Sequence, residues 1–69
     1  MKMNLWMEKR GDNKPEEISE SYEVKSSLTR MELQIYAKSF LFDLGWCNEL
    51  SGEETYYYRL DNGPLEVID

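Results

Sequence analysis

The sequence predicts a small α+β domain, a mostly antiparallel sheet of four to five strands with one helix packed on one face, in the order ββαβββ. Three observations predict it. Polarity alternates residue by residue before residue 26 and again after residue 45, the two-residue period of a strand with one buried face. Between these stretches, residues 30–44 contain neither Gly nor Pro and repeat their apolar positions with the 3.6-residue period of a helix. Clusters of turn-forming residues separate the segments, and strands flanking a single helix are most economically arranged as a sheet covered by that helix.

The first strand is expected over residues 2–8, with Met3, Leu5 and Met7 on one side and Asn4, Trp6 and Glu8 on the other. Gly11-Asp12-Asn13-Lys14-Pro15 ends it inside a loop at 9–17, since each of these residues favours a turn. A second strand is expected over 18–26, placing Ile18, Tyr22 and Val24 on one face; Glu20 falls on the same face, against the pattern. Thr29-Arg30-Met31-Glu32 fits a capping box, in which the threonine hydroxyl accepts the N3 amide and the glutamate reaches back to the N-cap amide. Ser27 is the alternative cap. The helix then runs over 30–44, and Gly45 stands where a left-handed terminator belongs.

Three strands follow, at 46–50, 55–60 and 65–68. The middle one puts Tyr56, Tyr58 and Leu60 on one face, and the last pairs Leu65 with Val67 on one side. Ser51-Gly52-Glu53-Glu54 forms one turn. Asp61-Asn62-Gly63-Pro64 forms the other, with Gly63 free to take positive φ and Pro64 tolerated at a strand edge.

Size sets the energetic frame. The 69 residues make one domain, residues 1–69, and a chain of this length buries only ~60% of the surface it exposes when unfolded. One core of this size rarely supplies more than ~3–5 kcal/mol. Cys47 is the only cysteine, so no disulfide staples the chain from within. A lone cysteine also points to a reducing compartment. The first eight residues interrupt their apolar positions with polar ones and do not form the apolar core of a signal peptide. No stretch approaches the ~20 apolar residues of a membrane span. The expectation is a cytoplasmic protein with no membrane partner.

Charge is unevenly distributed. Residues 1–42 hold seven acids and seven bases, whereas residues 43–69 hold seven acids (Asp43, Glu49, Glu53, Glu54, Asp61, Glu66, Asp69) against Arg59 alone. The whole net charge of −6 therefore belongs to the last third. Net charge of this kind speaks to partners and solubility rather than to fold. It disfavours direct nucleic-acid binding, because affinity for a phosphate backbone comes from Lys and Arg displacing counterions. Tyr56, Tyr57 and Tyr58 are better read as two core residues and one surface residue than as a stacking platform for bases. Trp6, Tyr57 and Ile68 are expected to share the outer face of the sheet.

Catalytic and metal chemistry find little to work with. The chain has no histidine, which removes the commonest general base and the commonest transition-metal ligand. Cys47 has no neighbouring base to ionise it and reads as structural. The four glycines, at 11, 45, 52 and 63, are isolated in turns and build no phosphate-cradling loop. Asp61-Asn62-Gly63 resembles the start of a calcium loop, but Pro64, Leu65 and Val67 stand where later oxygen ligands are required. No catalytic, cofactor or metal site is expected.

The helix carries two apolar stripes. Leu33, Tyr36, Ala37, Phe40, Leu41 and Leu44 form the broad one, expected to be the core face. Met31, Ile35 and Phe42 form a second, nearly opposite, flanked by Arg30, Gln34 and Lys38 on one side and Glu32, Ser39 and Asp43 on the other. One sheet cannot bury both. Either the 9–17 loop folds over the second stripe or the helix is otherwise more enclosed by its own domain, or a second copy of the chain covers it, or another protein does.

Two functional readings result. In the first, the chain is a small acidic, non-catalytic protein-binding module that presents Glu49, Glu53, Glu54, Asp61 and Glu66 to a basic partner. Six net charges on strands rising ~3.3 Å per residue approach the charge spacing of a DNA strand, ~3.4 Å. That surface would suit an inhibitor, of the phage or mobile-element kind, of a nucleic-acid-handling protein. In the second, the chain is a homodimeric assembly protein associating through Met31, Ile35 and Phe42, and its acidity serves solubility.

Overall fold

A computed structural model describes residues 1–11, 13–45 and 54–68. Its elements are β1 (Lys2–Lys9), β2 (Glu16–Glu17), β3 (Tyr22–Glu23), α1 (Arg30–Asp43), β4 (Glu54–Leu60) and β5 (Leu65–Val67). The five strands form one antiparallel sheet in the order β2-β1-β4-β5, with β3 pairing β1 on the same edge as β2. The expected α+β architecture, one antiparallel sheet with a single helix, is therefore present, with three strands before the helix and two described strands after it. The strand expected at 46–50 lies outside the described residues.

β1 and β4 are the spine of the sheet, paired from Met3↔Leu60 to Lys9↔Glu54. Their shared inner face holds Met3, Leu5 and Tyr58, all essentially inaccessible to solvent, with Met7 beside them. Leu33, Ala37 and Leu41 of α1 close over this face. Ala37 is fully buried, and its small side chain lets the helix approach the sheet closely. Phe40 stacks on Tyr22 with centroids 4.0 Å apart and planes 7° from parallel, which fastens the helix to β3.

The helix begins as its sequence dictates. Thr29 Oγ1 accepts the Glu32 amide at 3.2 Å, and Glu32 Oε1 accepts the Thr29 amide at 3.0 Å. Gly45 ends it at φ 81°, and its amide donates to the Phe42 carbonyl at 2.9 Å.

Four expectations need correction. Of the strand expected over 18–26 only Tyr22–Glu23, β3, is strand, and β2, Glu16–Glu17, lies inside what the sequence reads as loop. Four residues, Ile18 to Ser21, oppose only Asn4 and Leu5 between the Trp6↔Glu17 and Met3↔Tyr22 pairs. The two surplus residues bulge outward and preserve parity, so Ile18 and Tyr22 both pack on the core while Glu20 escapes to solvent. Inside the bulge, Ser19 Oγ replaces a backbone acceptor and takes the Leu5 amide at 2.9 Å.

Tyr36 and Leu44, assigned to the core face of the helix, are 43% and 38% exposed. They stand on the edges of a stripe broader than the sheet beneath it. In the last turn it is Asp61 that adopts positive φ, 50°, because Asp61 extends the pairing to Lys2, donating its amide to the Lys2 carbonyl and accepting the Lys2 amide on Oδ1. Gly63 lies in a tight approach instead: a Cβ there would lie 3.1 Å from the Leu60 carbonyl oxygen, closer than an ordinary contact. Finally, Ile68 packs on the core, and Val67 takes the outer-face place expected for it, in register with Tyr57 and Trp6.

Candidate protein interaction site

The second helical stripe stands clear of the domain. Met31, Ile35 and Phe42 are 75%, 61% and 63% exposed. At ~100° per residue they lie roughly opposite Leu33, Ala37 and Leu41, the residues that face the sheet. The described part of the 9–17 loop does not cover them; it turns at Gly11 (φ 93°) and Asn13 (φ 56°) and runs into β2 along the edge of β1.

The flank beside the stripe is anchored to β5. Arg30 meets Glu66 at 3.6 Å, and Gln34 Nε2 donates to the Val67 carbonyl at 2.7 Å. Both ion-pair partners are solvated, so the pair orients more than it stabilises; such pairs are worth ~0–1 kcal/mol. The other flank carries Glu32, whose carboxyl is held below the usual carboxylate range first by the Thr29 amide and then by the Thr29 hydroxyl.

The acidic residues expected to act together are dispersed. Glu49 and Glu53 lie outside the described residues. Glu54 opens β4 and accepts the Tyr56 hydroxyl at 3.1 Å. Asp61 follows the far end of the same strand, ~23 Å away at ~3.3 Å per residue, and is engaged with Lys2. Glu66 sits on the edge strand β5 opposite Tyr58, on the helix side, paired with Arg30. Each of these three carboxylates, Glu54, Asp61 and Glu66, thus holds a partner within the domain.

The outer face of the sheet offers a smaller apolar row, Trp6, Tyr57 and Val67. Tyr57 donates its hydroxyl to Glu8 at 3.1 Å. Burial, that hydrogen bond and the Glu8 charge raise its pKa above the ordinary phenol value. Trp6 Nε1 and Arg59 Nε are enclosed there without a hydrogen-bond partner among the described residues. A shallow depression between the Ile18–Ser21 bulge and Leu44 has hydroxyls already committed, Ser19 to the Glu20 carbonyl and Ser21 to Asn4.

Among the described residues no three His, Cys, Asp or Glu side chains are placed to hold a metal ion, and no helix is long and apolar enough to cross a membrane. The first two stripe residues follow directly from the capping box, which fixes the helical phase. The β5 anchor had no sequence signal, because it depends on which sheet edge the helix leans toward. No family model, curated protein or solved structure matches the chain.

Proposed function

We propose that this chain is a non-catalytic protein-interaction module whose contact surface is the outward stripe of α1, Met31, Ile35 and Phe42. The supporting observation is the exposure of three large apolar side chains, each more than 60% accessible, on one face of a helix fixed at both ends. Scattered single apolar residues are ordinary on a protein surface. Three in helical register are the pattern by which an amphipathic helix docks a partner. Methionine beside an aromatic ring also suits a surface that must adapt its shape.

The acidic C-terminal region has a supporting part in this reading. Its charge keeps a protein with an open apolar stripe soluble. The alternative, in which Glu49, Glu53, Glu54, Asp61 and Glu66 mimic nucleic acid, gains no support from the three described carboxylates, since each is spent on an internal partner.

A photo-crosslinking residue placed at position 35 in the source cell tests the proposal, with the same residue at position 14, on an exposed loop, as control. The expected result is one defined protein captured from position 35 and lost on Phe42→Asp. Equal capture from both positions, or capture that persists with Phe42→Asp and disappears when Glu54, Asp61 and Glu66 are neutralised, overturns it.

A further inference from the structure

The two edges of the sheet are built differently. The β2/β3 edge carries Glu16, Glu17, Glu20 and Glu23, all exposed, and the Ile18–Ser21 bulge. Charge and a bulge are among the devices that keep a sheet edge from pairing with another chain. On β5 the one charged residue, Glu66, is turned to the helix side and paired with Arg30, and the β4 pairing carries no bulge.

Backbone parity shows what β5 offers. Ile68 donates its amide to the Tyr56 carbonyl at 2.8 Å, so Ile68 and Glu66 point their backbone groups inward at β4. Hydrogen-bonding direction alternates along an antiparallel strand, so Leu65 and Val67 point theirs outward. The Gln34 bond to the Val67 carbonyl confirms that direction. Pro64 removes a donor only on the β4 side. Among the described residues, no strand lies beyond β5.

We infer that β5 is the seam of a two-fold dimer in which a second copy adds its own β5 antiparallel to this one. The edge is self-complementary. With the axis at Glu66, Leu65 of each copy pairs with Val67 of the other, and donors and acceptors match because both residues present both groups. The Val67 carbonyl has a second lone pair for this bond. Side chains match as well. On the outer face, half-exposed Val67 gains the second copy's Leu65 as cross-strand neighbour, extending the Trp6, Tyr57, Val67 row. On the helix side, two Glu66 and two Arg30 meet around the axis as a neutral set of four. The same construction on the glutamate-lined β2/β3 edge brings only like charges together.

This seam leaves the α1 stripe uncovered. A two-fold axis normal to the sheet puts both helices on one face of a continuous sheet. If the stripe is the docking surface proposed above, the dimer then presents two on the same side, an arrangement that raises apparent affinity for a repeated or dimeric partner without new contacts.

Amide hydrogen exchange and sedimentation of the full chain test the inference. Expected are a mass rising from 8.2 kDa toward twice that with concentration, and Leu65 and Val67 amides whose protection rises in parallel while the Glu66 amide is protected throughout. Val67→Pro deletes the outward donor while leaving the Ile68 donor to β4 in place and should give a monomer, whereas Ile35→Asp should remain dimeric. A monomer at every concentration, or Leu65 and Val67 amides that exchange freely at every concentration, overturns the seam and leaves the stripe proposal standing. A dimer abolished by Ile35→Asp and kept by Val67→Pro also overturns it, and assigns self-association to the stripe.

Discussion

Gln34 reaches from the second turn of α1 to the open edge of the sheet, where its Nε2 donates to the Val67 carbonyl at 2.7 Å. This bond, with Arg30 to Glu66, sets how the helix lies across the sheet. Its first turns stand over β5 and its last turns over β3, where Phe40 stacks on Tyr22. The roll of the helix that results turns Leu33, Ala37 and Leu41 down and Met31, Ile35 and Phe42 up.

Gln34→Ala should therefore loosen the N-terminal half of the helix without unfolding the domain. A side-chain to backbone hydrogen bond contributes a net ~0.5–1.5 kcal/mol. Urea unfolding should show a loss in that range with an unchanged m-value, and no loss would mean that the bond is idle in solution.

Ser19→Ala is the more damaging of the two small polar changes. Ser19 Oγ is the acceptor for the amide of Leu5, a residue with no solvent exposure, and a buried donor left without a partner costs ~1–3 kcal/mol. The expected result is a fall in denaturation midpoint larger than that of Ser21→Ala, whose hydroxyl bonds only the exposed side chain of Asn4.

The capping box makes helix stability depend on acid. Glu32 has its folded-state pKa lowered by the Thr29 amide and hydroxyl. Its contribution is therefore complete above the unfolded carboxylate value, ~4.3, and is lost as pH falls through the lower folded value. Helical circular dichroism should decline over that window, and Glu32→Gln, which can still bond the Thr29 amide, should flatten the decline. An identical acid profile in both proteins would remove Glu32 from the account.

Much of this arrangement was legible in the sequence, and the failures share a cause. The capping box and Gly45 delimit α1 to within a residue, since both are local chemistry. β1 is equally plain, because Met3, Leu5 and Met7 alternate without interruption. The 18–26 segment misled because its period is broken by the Ile18–Ser21 bulge, which depends on Ser19 meeting Leu5 across the sheet, a contact that no local pattern announces. Exchanging Ile68 for Val67 on the outer face is a one-residue register error, and one residue is enough to invert a strand. The outward stripe was visible as a second apolar phase on the helix. What covers it was not, because the chain offers no motif for a partner.

The claim that the α1 stripe is a contact surface and no part of the domain's own core is tested most directly by one protein, the Ile35→Asp, Phe42→Asp double variant, measured for urea unfolding and for co-purification with the partner captured through position 35. The account predicts stability within ~0.5 kcal/mol of wild type per site, the range for surface substitutions, together with loss of the partner. A loss of more than ~2 kcal/mol per site, the scale of core damage, or a partner that still co-purifies, would contradict it.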